Sequence, residues 1–167
     1  QRQMCIRDSS INNGTSWSEI STTTTSQSGT YSYTWKPNAG SYLVHASFPG
    51  IKGTYISSTS LNQSLTVNKA NAAIVLGLSS PSIVAGQNVT ISCNVAPKES
   101  GGRVVLEYST DNETWAPIAS GDLANGSYST SWVPKDVGTM YVRATWVGSM
   151  NYNRATSSIQ ILTVSKE

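Results

Sequence analysis

The sequence predicts an all-β chain of tandem two-sheet sandwiches, the first truncated at its N-terminus. One observation is an internal repeat: GTYSYTWKPNAGSYLVHASFPG at 29–50 is echoed by GSYSTSWVPKDVGTMYVRATWVG at 126–148. Another is alternation. Tyr128, Thr130 and Trp132 are interleaved with Ser129 and Ser131, and Tyr31, Tyr33 and Trp35 with Ser32 and Thr34. Such a pattern buries one face of a sheet and wets the other. The third is punctuation. Turn signals such as VAGQ, STDNE, LANGS and PKDVG recur at the short intervals of a β-sandwich, and no stretch carries a helical period.

The repeat sets the domain plan. A shift of 97 or 98 residues brings Trp17 onto Trp115, Ile20 onto Ile118 and Trp35 onto Trp132. It also brings Val44, Ala46, Phe48 and Gly50 onto Val142, Ala144, Trp146 and Gly148, and Tyr55 onto Tyr152. A period near one hundred residues is that of whole domains, each with its own core, rather than of a solenoid unit. Residues 73–165 read as one complete sandwich. Its strands fall near 73–78, 87–96, 103–109, 115–119, 126–133, 139–147 and 156–164. In the last, Leu162 and Val164 share a face while Ile159 and Ile161 take the opposite phase, which predicts a bulge or an exposed apolar edge.

The first copy is shorter. Ser10–Trp17 aligns with the hairpin at Tyr108–Trp115, so residues 9–68 are expected to form a partial domain of C-terminal strands only, including one over 29–36. Residues 1–8, QRQMCIRD, match nothing in the second copy; they resemble a translated sequencing-adapter leader and are read as non-native. Residues 69–72 are the expected linker, and the whole reads as a slice of a longer array. Without the missing strands, the partial domain is expected to leave an apolar face open.

The stretches PSIVAGQNVTISCNV, VVLEYSTDNETWAPI, GSYSTSWVP, VGTMYVRATW and NYNRATSSIQILTV resemble the immunoglobulin-like repeats of large prokaryotic surface proteins. That resemblance implies tandem immunoglobulin-like β-sandwiches. Gly40-Ser41-Tyr42-Leu43-Val44 is similar to the tyrosine corner that leads into strand F of that fold, whereas the second copy carries Met140 at the tyrosine position. Cys93 lies on the likeness of strand B and strand F offers Val142, so the antibody-type disulfide is not expected.

Composition narrows the function. Charged residues make up 12% of the chain and the net charge is +2, without a basic cluster, so no nucleic-acid partner is expected. No apolar run approaches the roughly 20 residues of a membrane-spanning helix. Two cysteines, Cys5 and Cys93, do not make a disulfide framework, and Cys93 sits in phase with Val89, Ile91 and Val95 as a small buried hydrophobe. His45 is the single histidine and is expected to face solvent. One histidine excludes a catalytic triad and a histidine-ligated metal site. Asp111 and Glu113 are the only close carboxylates and read as a polar hairpin turn rather than a Ca²⁺ site, which wants six or more oxygens. No catalytic residue, cofactor or metal is expected.

Five Asn-x-Ser/Thr sequons, at Asn13, Asn62, Asn88, Asn112 and Asn125, are possible N-glycan attachment points. Asn62 and Asn88 are placed on outward strand phases, the others in turns. Trp17 and Trp115 are the candidate aromatic contacts to a glycan, although packing each hairpin onto its sandwich is the favoured role. Trp132 is the expected core anchor. The resulting function is a non-enzymatic structural or adhesive spacer, the stalk of a large extracellular or cell-surface repeat protein. The alternative is a carbohydrate-binding accessory module of a secreted polysaccharide-degrading enzyme. Expected partners are neighbouring repeats of the same chain, with cell-surface glycans or proteins reached through further domains.

Overall fold

Most of the alternating stretches become sheet in the computed structural model, which describes residues 4–99 and 101–167; residues 1–3 of the expected leader lie outside them. The chain divides into two compact units, Gln1–Lys69 and Ala70–Glu167.

In the first unit, β1 (Met4–Ser10), β2 (Ser18–Thr24), β3 (Gly40–Phe48), β4 (Ser58–Thr59) and β5 (Gln63–Val67) form a single sheet. Its order is β2-β1-β3-β4, with β5 also on β3, and its pairs are antiparallel. Among the described residues, none of its large hydrophobic side chains is fully buried; Val44, Ala46 and Phe48 reach only half-burial.

The second unit closes. Its strands are β6 (Ala73–Leu78), β7 (Ser82–Val84), β8 (Val89–Ala96), β9 (Arg103–Ser109), β10 (Ala116–Asp122), β11 (Ser127–Trp132), β12 (Gly138–Trp146), β13 (Ala155–Thr156) and β14 (Gln160–Ser165). One sheet runs β10-β9-β12-β14-β7, with β13 on β12, and the other runs β11-β8-β6. Alternation supplies the core: Val89, Ile91 and Cys93 from one sheet meet Val104, Leu106, Val142, Ala144, Trp146 and Leu162 from the other, all at 0% exposure. Full burial of each aliphatic side chain is worth about 1.5–3 kcal/mol. Burial also raises the Cys93 thiol pKa, so Cys93 stays protonated and behaves as a small hydrophobe.

Three-residue β7 is absent from the sequence-based strand plan. After β6 pairs antiparallel with β8, the chain crosses to the other sheet, where β7 lies parallel to β14. Strand β14 is therefore interior to its sheet. Ile159 and Ile161 are exposed on its outer face while Leu162 and Val164 are buried.

Comparison of the units corrects several expectations. The alternation at 31–35 predicts a strand, yet none forms there. Its counterpart β11 is held by β8, and no strand of the first unit corresponds to β8. Tyr31 and Tyr33 are left exposed, with the Arg7 guanidinium 4.6 and 5.2 Å from their ring centroids. Residues 4–8 of the expected leader are part of β1, which takes the place of β9: Arg7 faces Ala46 as Leu106 faces Ala144. The hairpins correspond through Ser10 and Ser109, one residue away from the sequence alignment. Each serine hydroxyl donates to a side chain two residues on, Ser10 to Asn12 and Ser109 to Asp111. Within the expected linker 69–72, Ala70 bridges Tyr152, donates its N–H to the Asn151 carbonyl and accepts from the Asn153 N–H, both at 2.8 Å.

Two loops explain repeat landmarks that the strands do not. Gly50 and Gly148 both have positive φ, 85° and 90°. A Cβ on Gly148 would stand 2.6 Å from the Tyr152 carbonyl, and one on Gly50 would stand 2.8 Å from that of Tyr55. The same tight turn therefore returns the chain in both units, and only glycine fits it.

Candidate functional site

The tryptophans that the sequence singles out sit in matching clusters on the outer sheet face. In the second unit, β9 and β12 bring Glu107 opposite Arg143. Arg143 Nε donates to Glu107 Oε2 at 2.9 Å, and its guanidinium carbon lies 3.8 Å from the centre of the Trp115 ring. In the first unit, β1 and β3 bring Asp8 opposite His45. His45 Nε2 lies 3.2 Å from Asp8 Oδ2, and the imidazole and Trp17 rings are 3.9 Å apart. His45 thus does not face solvent: Trp17 folds over it, and 13% of its side chain is exposed.

Each cluster is a carboxylate, a basic side chain and a covering indole. In the second unit the part-exposed Arg143–Glu107 pair contributes about 0–1 kcal/mol, and its guanidinium over the Trp115 indole about 0.5–1 kcal/mol. One face of each indole is already occupied, and both tryptophans are half-buried against their own hairpins.

The hairpin beside Trp115 is organised by Asp111. Its Oδ1 accepts from the Ser109 hydroxyl at 2.7 Å and from the Glu113 and Thr114 amides at 2.9 and 2.7 Å. These bonds hold the Asp111 carboxyl well below the ordinary carboxylate range, the amides of Thr114 and Glu113 contributing most. Among the described residues no group of three or more His, Cys, Asp or Glu side chains could hold a metal ion.

All five sequon asparagines are exposed. Asn13, Asn112 and Asn125 occupy turns at positive φ, where asparagine is favoured among non-glycine residues. Asn125-Gly126 forms the two-residue loop before β11, with Ala124 and Ser127 bonded to each other on either side. Asn62 and Asn88 were expected on strands. Each instead stands one residue before one, β5 and β8 respectively, because the ladders begin at Gln63 and Val89.

Trp132 is half-buried, not the fully buried anchor expected. Its phase is inward, but β11 is a sheet edge, and the indole lies against Tyr108 at a 5.1 Å centroid distance. The anchor is Trp146, the largest fully buried side chain. The tyrosine corner forms where the sequence places it: Tyr42 Oη donates to the Asn38 carbonyl at 2.8 Å.

In the second unit, two packed, mostly antiparallel sheets joined by a chain that crosses from β6 in one to β7 in the other define an immunoglobulin-like sandwich module. The chain belongs to the bacterial Ig-like domain (group 3) family, whose model matches residues 76–165. It is also similar in fold to the crystal structure of a tetra-tandem repeat in the extending region of a large adhesion protein, with 20% identity and a TM-score of 0.59. That likeness covers 96% of this chain, and the chain spans 42% of the solved one. A chitin binding domain from Burkholderia pseudomallei shares 12% identity over 52% of this chain and 56% of its own, at a TM-score of 0.36, too distant to carry an argument. No curated protein matches the sequence.

Proposed function

We propose that the chain is a non-enzymatic, load-bearing spacer of a large extracellular or cell-surface repeat protein, holding other domains away from the surface. The observation that carries this reading is the parallel pairing of β7 with β14 near the two ends of the second domain. Thr163 N–H donates to Pro81 O and Ala85 N–H to Ser165 O, both at 2.9 Å. Tension entering near Ala70 and leaving after Ser165 draws the two strands along their common axis. Their hydrogen bonds are then loaded together in shear, instead of opening one at a time. Behind that clamp stands a closed apolar core, which makes unfolding cooperative.

The likeness to repeats from the extending region of an adhesion protein supports the same reading, as does the repetition of the sandwich elements within the chain. The carbohydrate-binding alternative would need the remaining faces of Trp17 and Trp115, each of which is half-buried with one face on His45 or Arg143. The experiment is single-molecule stretching of the chain by its ends. The second domain is expected to resist and then open in one step, releasing about 35 nm of chain for its roughly one hundred residues. Gradual extension without a resisting step would remove the spacer reading.

A further inference from the structure

A strand position that is filled in the second unit stands open in the first. On β3, Val44, Ala46 and Phe48 are half-buried, whereas their counterparts Val142, Ala144 and Trp146 are at 0% exposure. The difference is β8. Its Val89, Ile91 and Cys93 share one core with those counterparts. Its backbone pairs with β11, setting Cys93 against Tyr128, Ile91 against Thr130 and Val89 against Trp132. In the first unit Tyr31, Tyr33 and Trp35 hold the places of Tyr128, Thr130 and Trp132, yet they join no ladder among the described residues. A hollow of about 310 Å³ lies between these three aromatic residues and Ile20 and Val44. Arg7 of β1 also lines it. The Arg7 guanidinium stands over the Tyr31 ring, and its buried Nη2 finds no hydrogen-bond acceptor among the described residues.

We infer that this hollow is a docking groove for one extended strand of β8's kind, supplied by another polypeptide. That strand is uncharged and carries an apolar side chain at every second residue, as Val89–Ala96 does. The second unit argues for this occupant position by position, because there such a strand lies against the equivalents of the same residues. Its apolar side chains cover Val44, Ala46 and Phe48, which removes an exposed apolar face from water. Its backbone gives Tyr31–Trp35 the ladder that their alternation lacks, so recognition is by strand addition. Main-chain bonds then supply affinity, and the phase of the side chains supplies specificity. The strand's carbonyls also offer Arg7 Nη2 an acceptor, and a buried donor left without one is costly. The groove lies wholly in the first unit, so it stands apart from the spacer reading, which rests on the second.

The test uses the full chain, isotope-labelled on nitrogen, titrated with a peptide of the β8 sequence QNVTISCNVA in which Cys93→Ala prevents disulfide formation. Saturable shifts are expected at the Trp35 indole and at the amides of residues 31–35, and those amides should gain protection from hydrogen exchange. The Trp132 indole and the amides of 127–132 should stay unmoved, because β8 already holds them. A peptide of the same composition with its apolar and polar residues exchanged in phase should give no saturable response. Val44→Ala trims the apolar floor and should weaken binding about three- to tenfold. The phase-exchanged peptide decides the matter even where that variant unfolds the first unit. No saturable shift up to the solubility limit, an equal response to the phase-exchanged peptide, or shifts confined to the second unit would each overturn the inference. Protection of 31–35 that rises with chain concentration in the absence of peptide would also overturn it, by assigning the groove to a second copy of the chain.

Discussion

Replacing Trp146 probes the core of the second domain and the chemistry of one buried atom at once. Trp146 is the largest side chain with no exposure, paired in register with Val104 and Ala155. Its indole Nε1–H finds no acceptor among the described residues. Trp146→Ala removes the whole ring from a packed interior and should cost about 3–5 kcal/mol. Trp146→Phe loses part of the ring volume but also deletes a stranded donor, whose burial costs about 1–3 kcal/mol. The two effects oppose, so its net loss should stay below about 1.5 kcal/mol. Phe48, at the equivalent position of the first unit, shows that the register accepts this side chain. The assay is urea unfolding of the fragment 70–167, with midpoints compared at constant slope. Equal losses for the two variants would refute the stranded-donor argument, and a loss under about 1 kcal/mol for Trp146→Ala would refute the core assignment.

The fragment 70–167 should fold alone with an all-β circular dichroism spectrum, since its core draws on no residue before Ala72; a non-cooperative melt would contradict this. Trp132→Ala should cost about 1.5–3 kcal/mol, less than a fully buried tryptophan, because the indole on edge strand β11 is only half-buried; denaturant midpoints measure it. Gly148→Ala should destabilise by about 1–3 kcal/mol through positive φ and collision with the Tyr152 carbonyl, again read from the midpoint. The lowered native pKa of Asp111 stabilises the fold fully above the ordinary carboxylate value of about 3.9, and this contribution is lost as pH falls toward the native value. Asp111→Ala should therefore flatten the acid limb of the stability profile below about pH 4, and an unchanged limb would contradict the hydrogen-bond assignment.

Local pattern was legible wherever a strand had its partner. The inward phases of Val89, Ile91, Cys93, Val142 and Trp146 follow from alternation, and Leu162 and Val164 were separated correctly from Ile159 and Ile161. Tyr31–Trp35 carries the same alternation yet forms no strand, because pairing depends on a neighbour distant in sequence. Three-residue β7 has too few residues to show a period, and its parallel partner lies about eighty residues away. Phase also does not give depth. Trp132 and Trp146 both point inward, but only Trp146 sits on a strand paired on both sides. The hairpin slipped by one residue because the first copy has one more residue between its serine and its tryptophan.

Comparing the unfolding force of the chain with that of Ala85→Pro, at one pulling speed, tests the spacer account most directly. The substitution deletes the Ala85 N–H donor to Ser165 in the β7–β14 clamp and touches none of the core. The account predicts a marked fall in the force of the single opening step, with the released length unchanged and thermal stability only slightly reduced. An unchanged force, or a fall only in proportion to lost thermal stability, would mean that the paired end strands do not bear the load.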